Sequence, residues 1–311
     1  MKEIKQMRRF IILFLILSWL LTACQAVLPS QSGGKLKVVA TFSILGDFVQ
    51  NVGGDRIELA TLVKPGVDTH TYEPTPADSA ALADARLVFE NGLGFESWLD
   101  KLYTAADSKA VRVVVTKSIP PRILTEGDEQ GEADPHAWHS VTNAISMVEA
   151  IREALVQADP ANAQTYQANA QAYLGQLQEL NKWVEEQVKT LPAERRKLVT
   201  THDTFGYFAE QYGFEILGTL LPTSTEGASP SAQEIAALVE KVKAAGVPAV
   251  FSENVSSNVL LKQVADEAGV KVIVSLYTDA LGEPGSQGDT YLRMERFNVM
   301  TIIEALGEMT R

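Results

Sequence analysis

One stretch constrains the fold more than any other: residues 158–192, "ADPANAQTYQANAQAYLGQLQELNKWVEEQVKTLP". It is rich in Ala, Gln, Leu and Glu, which favour helix, and its only interior glycine is Gly175. A helix over residues 161–190 would run roughly 45 Å at 1.5 Å per residue. Tyr166, Ala170, Tyr173, Leu177, Leu180, Val184 and Val188 recur at spacings of three and four, so one face is expected to be buried. A set of strand signals ends before this stretch and another begins after it. The pattern therefore predicts a stiff spine joining two lobes, at about residues 36–157 and 193–311, rather than a surface helix.

Each flanking set alternates strand with helix. Residues 36–44, 56–63, 85–92 and 111–116 read as largely buried strands, and so do 197–203, 214–220, 248–254 and 270–276. The clearest helix start is "TPADSAALADA", with Thr75 as N-cap, Pro76 in the first helical position and Asp78 in the first turn. Such alternation implies an α/β fold with parallel sheets. The halves share element types but no sequence repeat.

The first residues, "MKEIKQMRRFIILFLILSWLLTACQAV", combine a basic segment with an apolar run at residues 10–21. Twelve residues are too few to cross a bilayer core as a helix, which needs about 20, and fit a secretory leader. "LTAC" resembles the lipobox of bacterial lipoproteins. It implies cleavage after residue 23, acylation of Cys24 and a lipid anchor outside the cytoplasm, with residues 24–35 as a flexible tether. Cys24 is the only cysteine. The body then has no disulfide and no thiolate metal site, so any metal must bind through N and O donors. The formal charge is −12, and losing the leader removes four positive charges and one negative, leaving it near −15. That acidity argues against nucleic acid and anionic lipid as partners.

Only four histidines occur, His70, His136, His139 and His202, and each falls in a loop segment or just past a strand. The predicted strand over 270–276 leads to Asp279 in the same way. In open parallel sheets the carboxyl ends of strands face the ligand crevice, so these groups could converge between the lobes. Imidazoles with a carboxylate suit a divalent metal, zinc in particular, while oxygen-rich sets suit manganese or calcium. On the residues alone, ordinary hydrogen-bonded or surface histidines account for the pattern equally well.

Five blocks, "VKPGVDTHTYEPTP", "NGLGFESWLD", "DPHAWHS", "THDTFGYFAEQYG" and "LYTDALG", occur in this order. Together they resemble the zinc/manganese-binding substrate-binding proteins of bacterial ABC transporters, over nearly the whole chain after the leader. The resemblance implies two α/β lobes, one long rigid helix between them and a metal in the interlobe cleft. It implies His70, His136, His202 and Asp279 as ligands, and a permease with its ATPase as partners of a monomeric receptor. His136 matches the family ligand, whereas His139 falls where relatives usually carry an aliphatic residue. Three residues apart, both could reach one ion from a single helical turn, which leaves His139 as a neighbouring donor.

Metal-bound imidazoles usually donate their other N–H to a carboxylate or carbonyl. Glu73 and Asp203 are the expected partners here, although Glu73 could simply cap a local turn. Trp138 and Phe205 would shield the site, or serve as ordinary core. The loop "TEGDEQGEA" is short, acidic and free of histidine, so it offers no metal-collecting flap. Manganese receptors of the family usually carry Glu at the third ligand position. His202 therefore tips the expected cargo to Zn2+, with Mn2+ as the alternative. The rival readings are an extracellular zinc hydrolase, which would need an open coordination position, and an adhesin, which rests on the anchor alone.

Overall fold

A computed structural model describes residues 34–124, 129–223 and 229–307. The leader, Cys24 and the tether up to residue 33 lie outside them, as do residues 125–128 of the acidic loop.

The first half runs β1 (Leu36–Phe42), α1 (Ser43–Gly53), β2 (Ile57–Val63), α2 (Pro76–Asp84), β3 (Leu87–Glu90), α3 (Leu99–Ala105) and β4 (Val111–Val114). Then come α4 (Val141–Ala158) and the long α5 (Ala163–Lys189). The second half runs β5 (Lys197–His202), α6 (Gly206–Tyr212), β6 (Glu215–Leu221), α7 (Ala232–Ala245), β7 (Ala249–Glu253), α8 (Val259–Ala268), β8 (Lys271–Leu276) and α9 (Tyr291–Gly307). The strands form two four-stranded sheets, β2-β1-β3-β4 and β6-β5-β7-β8. Every pairing is parallel. In each sheet the chain lays its second strand on one side of the first and its third on the other. That reversal opens a crevice at the carboxyl ends of β1 and β3, and again at those of β5 and β7.

All eight predicted strands are present, most shortened by one or two residues at an end. The instructive difference is at Ser43 and Ile44, expected in β1 but found in the first turn of α1. An apolar run buried on all sides carries no period that separates strand from helix, and Ile44, Leu45 and Phe48 are fully buried in either case. α2 begins as expected. The Asp78 carboxylate accepts the Thr75 N–H at 2.7 Å, the Thr75 hydroxyl at 2.8 Å and the Tyr72 hydroxyl at 2.8 Å.

Helix α5 is about 40 Å long for its 27 residues. Its buried positions are Tyr166, Ala170, Tyr173, Leu177, Leu180, Val184 and Val188. It is not a free rod. Near its start Asn169 donates to the Val52 carbonyl at 3.1 Å and Tyr173 to the Asp47 carboxylate at 3.1 Å, both on α1. Further on, Asn181 accepts the Tyr212 hydroxyl of α6 at 2.8 Å. One apolar core runs from β1, β3 and α1 through α4 and α5 to β5, β7 and α9, while a smaller cluster lies on the other side of each sheet. That shared core is why Leu36–Arg311 forms one compact unit despite holding two sheets.

Candidate metal centre

Each group singled out in the sequence can be followed from its element. His70 lies in the loop after β2. Asp68 accepts its backbone N–H at 2.8 Å, and Trp98 donates to the neighbouring Thr69 carbonyl at 3.0 Å. The same loop is tied to the second half by Gly66 N–H donating to the Leu281 carbonyl at 2.9 Å. His136 precedes a single 3-10 turn. Its backbone N–H and its ring Nδ1 both reach Asp134 Oδ1, each at 2.9 Å. His202 is the last residue of β5. Its backbone N–H donates to Glu253 Oε1 at 2.8 Å, and its Nδ1 makes a short hydrogen bond with Glu253 Oε2. Asp279 follows β8, and Trp138 donates its indole N–H to the adjacent Thr278 carbonyl at 3.0 Å.

Four side chains from these four places meet. One ligand atom each from His70, His136, His202 and Asp279 lies within 4.8 Å of every other, and all four residues are buried. His136 Nε2 is 3.3 Å from His70 Nε2 and 3.4 Å from His202 Nε2. Asp279 Oδ2 lies 3.5 Å from His70 Nε2 and 3.2 Å from His202 Nε2, while Oδ1 lies 3.5 Å from His136 Nε2. A tetrahedron with metal–donor bonds of about 2.0–2.1 Å has edges of about 3.3–3.4 Å. Five of the contacts among the donors are thus close to such an edge, and every pair of donors lies within 4.8 Å. Asp279 Oδ2 is buried and faces the Nε2 atoms of both His70 and His202, a place where a cation shared with those rings would satisfy it.

The electrostatics fit the same use. Burial lowers the His70 pKa to about 3, outweighing the opposing pull of Asp279, so this ring is neutral and able to donate a lone pair. At His202 burial acts in the same direction, but Glu253 and Asp279 together overcome it and hold the pKa well above 6.5. Burial would raise the Asp279 pKa; the His202, His136 and His70 rings reverse this and keep the carboxylate ionised. Without a cation, a proton on His202 balances the carboxylates around it.

The expectation for the groups behind the rings needs correction. Glu73 is exposed and makes no hydrogen bond to any of these imidazoles. Asp203 does not orient a ring either, and its Oδ1 is buried without a partner. The Nδ1 atoms of His136 and His202 are held by Asp134 and Glu253 instead. Asp134 carries a readable signal, an acid two residues before a histidine with proline between. Glu253 carries a weaker one, a single charge ending the apolar strand "AVFSE". His139 is not among the converging donors. Its ring is buried against Phe205, centroids 4.5 Å apart, with Nδ1 3.3 Å from Glu295. The intervening 3-10 turn is the reason: it carries the His139 side chain to the α9 side while His136 stays in the cleft. Trp138 and Phe205 are fully buried, and Trp138 packs against His136, centroids 5.3 Å apart.

A family model described as zinc-uptake complex component A, periplasmic, matches residues 38–305. The chain belongs to this family. Its members are extracytoplasmic solute-binding receptors of metal ABC transporters and not enzymes, which removes the hydrolase reading. Among the receptors it resembles is the manganese-binding lipoprotein MntA of Halalkalibacterium halodurans, 40% identical over 279 residues, covering 90% of this chain and 91% of that one. The iron-binding protein YfeA of Yersinia pestis is 37% identical, covering 90% and 89%. Among solved structures, the periplasmic zinc-binding protein TroA of Treponema pallidum superposes with a TM-score of 0.81 at 33% identity, covering 88% of this receptor and 99% of TroA.

Proposed function

We propose that this receptor captures Zn2+ with His70, His136, His202 and Asp279 and delivers it to a membrane permease driven by its ATPase. The observation that carries the reading is the spacing of the five donor contacts, 3.2–3.5 Å, close to the edge of a zinc tetrahedron. Three imidazoles and one carboxylate fill that shell with protein ligands, as suits capture without chemical conversion. In the same reading residues 1–23 are a leader and Cys24 is the lipidated residue. Residues 24–35 tether a monomeric body of two lobes (36–157 and 193–311) and a linking segment (158–192) to the outer face of the membrane. Among the described residues no helix is long and apolar enough to cross a membrane.

Mn2+ is the second reading, and one feature favours it beyond the relatives' names. Asp279 turns both oxygens toward the rings, Oδ2 to His70 and His202 and Oδ1 to His136. A chelating carboxylate would give five donors, which a larger ion accepts more readily than tetrahedral zinc. Elemental analysis and competitive titration of metal-depleted protein with Zn2+ and Mn2+ separate the two. Zinc capture predicts one Zn2+ per chain and displacement of Mn2+ by Zn2+; preferential retention of Mn2+ would overturn it.

A further inference from the structure

We propose that Arg122 is a positioning residue of this metal centre, an arm that ties the His136 turn to the helix following His202 and slows the parting of the two ligands. The inference rests on the receptor reading of those histidines. Asp134 spends one oxygen on His136, and its other oxygen accepts from Arg122 Nη1 at 3.1 Å. The same guanidinium reaches across to α6, with Nε 3.2 Å from Glu210 Oε1. The backbones are bound in as well. Arg122 N–H donates to the Tyr207 hydroxyl at 2.9 Å, that hydroxyl donates to the Asp134 carbonyl at 3.2 Å, and Asp134 N–H donates to the Arg122 carbonyl at 2.9 Å. Tyr207 and Glu210 belong to the segment that begins at His202, so this network bridges the two ligand-bearing regions without passing through the metal.

Gly206 reveals how tightly the arm is fitted. A Cβ there would stand 2.4 Å from Arg122 Nη1, 2.5 Å from its Cζ and 2.6 Å from Asp134 Oδ2. Its backbone is ordinary helix, so space rather than conformation calls for glycine at this position. The guanidinium occupies the Asp134 oxygen that would otherwise be free to swing toward a cation, which keeps that carboxylate behind the ring. The inner end of the arm is buried and its outer end, at Glu210, is 64% exposed. His136 and His202 separate widely only after this bridge breaks.

The test is the rate of Zn2+ loss from the loaded full chain in detergent, followed with an excess of a chromogenic chelator. The carboxylate one step behind a ligand typically changes affinity 10–100-fold; Arg122 acts through that carboxylate, so Arg122→Met is expected to speed release by up to about tenfold, the lower end of that range. Gly206→Ala, which removes no polar group but crowds both the guanidinium and the Asp134 oxygen it holds, is expected to speed release at least as much. Glu210→Gln, at the exposed end, is expected to give only about a two- to threefold increase. Arg122→Lys restores part of the loss. A role confined to folding would lower the melting temperature of the metal-free protein and leave effects additive. Acting through Asp134 instead, Arg122→Met should add nothing to Asp134→Asn in the double variant. Wild-type release rates in folded Gly206→Ala and Glu210→Gln, or additivity with Asp134→Asn, would overturn the proposal. A wild-type chain that retains no Zn2+ would overturn the receptor reading and this inference with it.

Discussion

The two halves hold their imidazoles in different ways. In the first, His70 and His136 stand in loops well beyond their strands. Each is fixed by a carboxylate two residues earlier, Asp68 for the His70 backbone and Asp134 for both the backbone and the ring of His136. In the second, His202 ends a central strand and its carboxylate, Glu253, ends the next strand of the same sheet, 51 residues away. One half aims its ligands with local turns, the other with a sheet. The sheet-borne pair is positioned by parallel strand pairing, while the loop-borne pair depends on short-range contacts and on ties such as Trp138 to Thr278. Release is therefore expected to begin on the loop-borne side.

The strongest way to break this comparison is to delete a ligand from the sheet-borne half. His202→Ala removes one of four donors and leaves Glu253 buried without its main partner. High-affinity Zn2+ binding should vanish, beyond the roughly 10–100-fold expected for a supporting carboxylate, while circular dichroism stays native. Retained affinity would move the centre elsewhere. The supporting carboxylates come next. Glu253→Gln should weaken Zn2+ binding toward the upper end of that range and Asp134→Asn toward the lower, because the His136 turn keeps other contacts. Equal losses in competitive titration would erase the distinction between the halves.

The pH dependence sharpens it further. Glu253 and Asp279 hold the His202 pKa above its ordinary value, so the metal-free ring carries a proton at neutral pH. Binding must expel that proton, and affinity should rise with pH across neutrality and fall toward pH 5. Calorimetry in buffers of different ionisation heat should register proton release, and Glu253→Gln should reduce it. A dissociation constant unchanged between pH 7.5 and 5 contradicts histidine ligation. The smallest effect on binding is expected from the spine. Leu177→Ala removes a fully buried side chain from the shared core and should cost about 2–5 kcal/mol of stability in one unfolding transition, with Zn2+ affinity unchanged. Two separate transitions would show that the lobes do not share a core.

Much of this arrangement was legible in the sequence, for identifiable reasons. The buried face of α5 follows from its three-and-four spacing, and the strands from apolar runs bounded by breakers. Strand ends in parallel sheets bring His202 and Asp279 to a crevice, whereas His70 and His136, in loops well beyond their strands, are legible as ligands through the resemblance of their sequence blocks. What escaped was what pairs across distance. Glu253 is a single charge at the end of an apolar strand, and only the pairing of β5 beside β7 brings it behind His202. Asp203 looked suitable because it neighbours His202 in sequence, but a residue next to the last position of a strand points away from it. Glu73 lay near His70 in sequence and in solvent in the fold. His139 was ambiguous because a 3-10 turn and a helical turn place a residue three positions on at different angles.

The most direct test of the central claim is a crystal structure of the Zn2+-loaded protein with anomalous diffraction at the zinc edge. The account predicts one ion bound by Nε2 of His70, His136 and His202 and by the Asp279 carboxylate, at about 2.0–2.2 Å, with Asp134 and Glu253 behind two of the rings. An ion held by His139 or Asp203, or one that leaves any of the four predicted ligands outside its coordination shell, would contradict it.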